Sequence, residues 1–159
     1  MKPITLAAVM LLLFIAAELP AQSAKEIFQY NWGGTSVQDG QGITKDGKIY
    51  LSQKMKIYID SDNKLSGKIT TVFTLDKVSY TRVANITGSY DASSQEIYID
   101  ELSYSRSDAL PYGLYWCPGR GYLKVYKNAD RPGHYLIKGT IRGYGSGCET
   151  VNQWELKDE

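Results

Sequence analysis

The sequence predicts an all-β fold: an antiparallel meander of about eight strands forming a small barrel, with a two-sheet β-sandwich as the alternative. Three observations predict it. Apolar and polar residues alternate in short runs, broken by Gly, Asp, Asn, Ser and Pro clusters every 8–12 positions. Beyond the N-terminal segment, no window of about eleven or more residues carries a helical period. Tyrosine dominates the aromatics, with 13 Tyr against 3 Phe, and tyrosine favours strand faces that are half exposed.

The elements are expected in this order. Residues 1–24 read as a signal peptide. Lys2 supplies the positive start, Thr5 to Ala17 an apolar run too short for a stable span, and Ala21 or Ala24 the residue before the cut, with Ala21 preferred. No cysteine stands near the cut to carry a lipid, and no other segment approaches a transmembrane helix. The remaining residues, 25–159, form one domain.

Glu26 to Trp32 is a first strand ended by Gly33-Gly34, and residues 35–48 are a loop or ragged hairpin. Lys54 to Ile59 directs Met55, Ile57 and Ile59 inward. Asp60-Ser61-Asp62-Asn63-Lys64 turns the chain into Leu65 to Leu75, whose inward set is Leu65, Ile69, Thr71, Phe73 and Leu75. Tyr80 to Tyr90 follows, with Tyr80, Ala84, Ile86 and Gly88 inward, and then a turn at Asp91-Ala92-Ser93-Ser94. In Gln95 to Tyr104 the inward set shifts from Ile97 and Ile99 to Leu102 and Tyr104, which implies a β-bulge near Asp100-Glu101. After a loop over 105–114 come Tyr115 to Lys127, His134 to Arg142 and Cys148 to Leu156. Sequential hairpins favour an up-and-down meander. About eight strands can close a barrel whose interior is either filled or holds one small ligand.

The formal net charge is +1. A near-neutral chain argues against a nucleic-acid partner, which requires a basic stripe, and against a polybasic membrane-surface protein. Export makes a Cys117–Cys148 disulfide the expected state. The two cysteines and the lone His134 do not complete a tetrahedral metal set.

Trp32-Gly33-Gly34, Lys64 to Lys68, Thr87 to Asp91 and the closing Trp154-Glu155-Leu156 follow the hairpin order of the lipocalin-type (calycin) and avidin-like barrels, which the chain resembles. Trp116-Cys117, Gly121 to Val125 and Gly147-Cys148 are similar to features of small exported bacterial β-domains without assigned function. The resemblance implies a barrel or sandwich with a small-molecule pocket, and it carries over no catalytic residue.

Several residues could bear chemistry. His134 could act as an acid or base if partnered, but reads as a turn residue. Asp60 to Asn63 has the start of a calcium loop, yet Lys64 occupies the third ligand position, so a hairpin turn is expected. Paired carboxylates could come from Asp60, Asp91, Asp100, Glu101 or Asp108; Asp100 and Glu101 stand out because acids are depleted in strands. The Asn85-Ile86-Thr87 sequon lies mid-strand and reads as chance. The richest segment is the loop where Tyr112, Leu114, Tyr115 and Trp116 gather beside the disulfide, with Arg120 following. Aromatics with a few placed polar groups line ligand sites, so Tyr112, Tyr115, Trp116 and Arg120 are the expected ligand-binding residues. Tyr58, Tyr98, Tyr122 and Tyr126 face outward and would form a patch if their strands were neighbours.

These readings converge on a secreted or periplasmic lipocalin-like binding module for a small apolar molecule or a glycan, with no cofactor, no metal and no catalytic residue assigned. A protein-interaction or inhibitor module using the outward tyrosines is the alternative. A small hydrolase or isomerase on Asp100 and Glu101 stands third.

Overall fold

Eight antiparallel strands close into an up-and-down barrel in which each strand pairs with the next and the last returns to the first. The computed structural model describes residues 24–39, 44–111 and 113–159. The leader, apart from Ala24, lies outside the described residues. A four-residue helix, α1 (Ala24–Ile27), precedes the strands. They are β1 (Asn31–Asp39), β2 (Lys48–Ile59), β3 (Lys64–Leu75), β4 (Val78–Asp91), β5 (Glu96–Ser107), β6 (Gly119–Lys127), β7 (Tyr135–Gly143) and β8 (Val151–Asp158). The barrel expected from the alternation is present, and the sandwich alternative is not. No described helix is long and apolar enough to cross a membrane.

Four expectations are corrected by the strand pairing. Residues 24–27 are helical, so the first strand starts at Asn31 and runs on through Gly33-Gly34 to Asp39. These glycines allow close approach instead of a turn: a methyl group on Gly34 would meet the Glu155 carbonyl of β8. β2 starts at Lys48, with Ile49, Leu51 and Gln53 continuing its buried phase. β6 starts at Gly119 and not at Tyr115, because Pro118 has no N–H to donate to a ladder. Finally, β5 keeps Glu101 inward and leaves Leu102 outside, 64% exposed. The β4–β5 register slips between Asn85/Ile86 and again between Val83/Ala84, so Leu102 and Ser105 are the unpaired extra residues. The bulge therefore follows Glu101 and restores the inward phase at Tyr104.

The tight turns have local causes. Asp60 Oδ1 accepts bonds from the Asp62 and Lys64 amides, each at 2.9 Å, and Asn63 takes a positive φ of 59°. Asp76 and Lys77 both have positive φ between the paired residues Leu75 and Val78, the two-residue hairpin whose twist matches the strands.

The barrel is filled at one end only. At the closed end, Ile27 and Phe28 plug the opening against Tyr90 and Tyr135, with Phe28 edge-on to Tyr90 at 5.0 Å. Above them Trp32, Met55, Ile57, Ile69, Ile86, Ile97, Ile99, Leu123 and Ile137 are buried in one apolar cluster. At the open end a smaller cluster of Ile49, Leu51 and Phe73 packs against Leu110, Leu114 and Trp116 of the loop between β5 and β6. Phe73 and Trp154 border a cavity at this end.

Candidate functional site

A belt of polar side chains crosses the barrel interior between the packed half and the open half. Its members come from successive strands, each at an inward position. Gln53 Nε2 (β2) donates to Ser36 Oγ (β1) at 2.9 Å, and Thr71 Oγ1 (β3) donates to Gln53 Oε1 at 2.8 Å. Arg82 Nη2 (β4) donates to Thr71 Oγ1 at 3.3 Å and to Glu101 Oε1 (β5) at 2.9 Å. The other Glu101 oxygen accepts the Gly119 amide (β6) at 2.9 Å. Buried polar groups cost free energy unless bonded, and these bonds run from each member of the belt to the next.

Arg82 is also the hub between belt and lid. Its Nη1 donates to the Cys117 carbonyl at 2.6 Å. Its guanidinium lies 5.2 Å from the Tyr104 ring centre and 5.4 Å from that of Trp116, within cation–π range. Burial pushes the Glu101 carboxyl above its ordinary value, while the Arg82 charge and the Gly119 amide pull it back. Burial likewise raises the Tyr104 hydroxyl.

The lid consists of residues 108–111 and 113–118. Asp108 Oδ2 accepts the Thr81 amide at 2.8 Å, and the Asp108 amide returns a bond to the Thr81 carbonyl at 3.0 Å. The Asp108 carbonyl accepts Trp116 Nε1 at 2.8 Å. The Thr81 bond, then Arg106, holds the Asp108 carboxyl below its ordinary value. The Cys117–Cys148 disulfide ties the lid to the β7–β8 loop, and Tyr115 OH donates to the Gly147 carbonyl at 2.7 Å.

Between lid and belt lies a cavity of about 90 Å3. Its walls are Ile49, Leu51, Phe73, Leu110, Leu114, Trp116 and Ile141; Gln53, Thr71, Arg82, Glu101 and Trp154 lie towards the belt. Three buried polar atoms of its lining residues lack a hydrogen-bond partner: Arg82 Nε, Trp154 Nε1 and Asn152 Oδ1.

Of the four ligand-binding residues expected from sequence, Tyr115 and Trp116 line this cavity. Arg120 points outward instead and lies over the Tyr144 ring at 3.9 Å. Tyr112 lies outside the described residues. Sequence reasoning missed Ser36, Gln53 and Arg82, although an arginine between inward Tyr80 and Ala84 is a readable signal: a charge in a barrel interior requires a partner.

The other candidates fall elsewhere. Asp100 and Glu101 are consecutive strand residues on opposite faces, so they do not oppose each other across a cleft. Asp91 accepts bonds from Ser93 and Ser94 as a turn residue, which lowers its carboxyl. His134 Nδ1 lies 3.1 Å from the buried Asp158 at the closed end, where Asp158 also accepts the Tyr135 amide. Tyr98 and Tyr122 are cross-strand partners, with Tyr126 further along β6, but Tyr58 sits on β2, across the barrel. No protein-family model, curated protein or solved structure gives a match to this chain.

Proposed function

We propose that the protein is an exported, lipocalin-like binding module that holds a small, uncharged, amphipathic molecule in the open end of its barrel. The observation that carries this reading is the cavity between lid and belt: apolar walls above a bonded polar floor, the usual lining of a small-molecule site. Its volume sets the size. At about 90 Å3 it is smaller than the roughly 150 Å3 that takes benzene, so only a few non-hydrogen atoms enter.

The floor sets the polarity. Arg82 and Glu101 already neutralise each other. An entering anion or cation would find no free countercharge and would lose its hydration. The unpartnered Arg82 Nε and Trp154 Nε1 are donors, and Asn152 Oδ1 is an acceptor. These atoms are closed off from the cavity, so a ligand's carbonyl or N–H would pair with them only where a side chain turns towards it. Each such atom left alone costs about 1–3 kcal/mol, which the ligand would offset.

Export supports the reading through the leader at 1–24, with a secreted or periplasmic destination, and the disulfide agrees with an oxidising space. Native mass spectrometry of protein purified gently from its own host tests the proposal. The expected result is a chain starting at Gln22 with one small adduct per molecule. Bare chains in every preparation, together with no uptake of small amides, would overturn it.

A further inference from the structure

The outer face of β5, β6 and β7 carries a second arrangement that the cavity does not use. Tyr98 and Tyr122 stand directly opposite each other, with ring centres 5.2 Å apart and planes at 50°. Tyr122 is 63% exposed and Tyr126 44%. The three tyrosines border an open hollow of about 710 Å3, together with Arg120, Lys124, Lys138 and Arg142. Glu96 is its single carboxylate. That is a local excess of cations on a chain whose net charge is only +1.

The pairing makes this excess costly. Arg120 is the direct cross-strand partner of Arg142, and Lys124 that of Lys138. Like charges opposed in this way destabilise a sheet. Arg120 is relieved by Asp100 at 4.0 Å and Lys138 by Glu155 at 3.1 Å. Lys124 faces Glu96 of β5 without a close ion pair, and Arg142 has neither an ion pair nor a facing acid among the described residues. The fold thus holds one cation, Arg142, without a facing acid, and an excess of Lys and Arg beside exposed aromatic faces, an arrangement complementary to a polyanion built from rings.

We propose that this face binds an acidic polysaccharide, a chain of uronate- or sulfate-bearing sugars, with Tyr122 as the platform and Lys124 and Arg142 contacting the acid groups. A compact patch around two adjacent rings, on a chain whose net charge is only +1, favours a glycan over single-stranded nucleic acid. Single-stranded nucleic acid is held along a basic groove that tracks several nucleotides, with successive bases on aromatic platforms. Successive pyranoses are rotated relative to one another, and each can lay its C–H face on one ring.

Oligogalacturonate, neutral dextran oligomers and oligothymidylate, titrated separately into the full chain at two salt concentrations, test this. Oligogalacturonate should bind at least about tenfold more tightly than either control, because dextran lacks the acid groups and oligothymidylate the pyranose faces. Tyr122→Ala should remove about that factor, and Arg142→Gln should flatten the salt dependence. Circular dichroism should show both variants folded. No binding of oligogalacturonate, tighter binding of oligothymidylate, or full binding by Tyr122→Ala would overturn the proposal. So would a dimer in analytical ultracentrifugation that Tyr122→Ala dissociates, because the face would then belong to a second copy.

Discussion

Arg82 Nη2 lies 2.9 Å from Glu101 Oε1 inside the barrel, with the two side chains only 7% and 1% exposed. The pair joins β4 to β5 at the position where the register slips, and Arg82 reaches on to the lid through the Cys117 carbonyl. One ion pair therefore links the sheet, the irregular strand and the roof of the cavity.

Removing one partner leaves the other charge buried. Arg82→Met should destabilise the fold by about 3–5 kcal/mol in urea unfolding. The double variant Arg82→Met/Glu101→Leu should recover much of that, because no uncompensated charge remains. A double variant as unstable as the single one would show that Arg82 acts by packing alone.

The same single variant should strengthen a pH dependence whose sign the parent already has. Burial already raises the Glu101 carboxyl, and loss of Arg82 removes the charge that pulls it back. Between the unfolded and folded values the native state then binds more protons, so stability falls as pH rises. Arg82→Met should come closest to the parent below the ordinary carboxylate range and fall behind as pH climbs through the raised folded value. Unfolding curves of both proteins at several pH values check this.

Asp108 should behave in the opposite sense. Its carboxyl is held low by the Thr81 amide and by Arg106, so its contribution is present above the ordinary carboxylate range and fades as pH falls through the depressed folded value. Acidification, or Asp108→Ala at neutral pH, should loosen the lid and change the fluorescence of Trp116, whose indole bonds to the Asp108 carbonyl. Hydrogen exchange confined to residues 108–118 would distinguish lid opening from global unfolding.

The disulfide closes a loop of sequence separation 31. On the chain-entropy account, Cys117→Ala/Cys148→Ala should cost about 3–4 kcal/mol. Because the bond also ties the lid to the β7–β8 loop, the variant should lose cavity binding at temperatures where it is still folded. Thermal unfolding followed with and without ligand separates the two effects.

The strand pattern was legible wherever alternation was apolar on one side and polar on the other. Met55, Ile57 and Ile59, and the turns at Asp60 and Asp91, needed nothing beyond local chemistry. Other features depended on closure. Gly33-Gly34 reads as a strand end locally, yet close approach of β8 makes it a strand interior. Gln53, Arg82 and Glu101 interrupt the apolar phase of their own strands, so each reads as noise. Only when the sheet curls round do they meet in one belt. Arg120 shows the reverse case: it is near the aromatic loop in sequence, but strand alternation directs it outside.

The indole and guanidinium N–H signals in nuclear magnetic resonance test the cavity reading most directly. Trp154 and Arg82 are cavity-lining residues whose Nε1 and Nε atoms are closed off, whereas Trp32, with an equally unpartnered Nε1, does not border that cavity. On titration with small uncharged amides, the Trp154 and Arg82 signals should move together and saturate while Trp32 stays fixed. Silent Trp154 and Arg82 signals, with shifts confined to the outer tyrosine face, would contradict it.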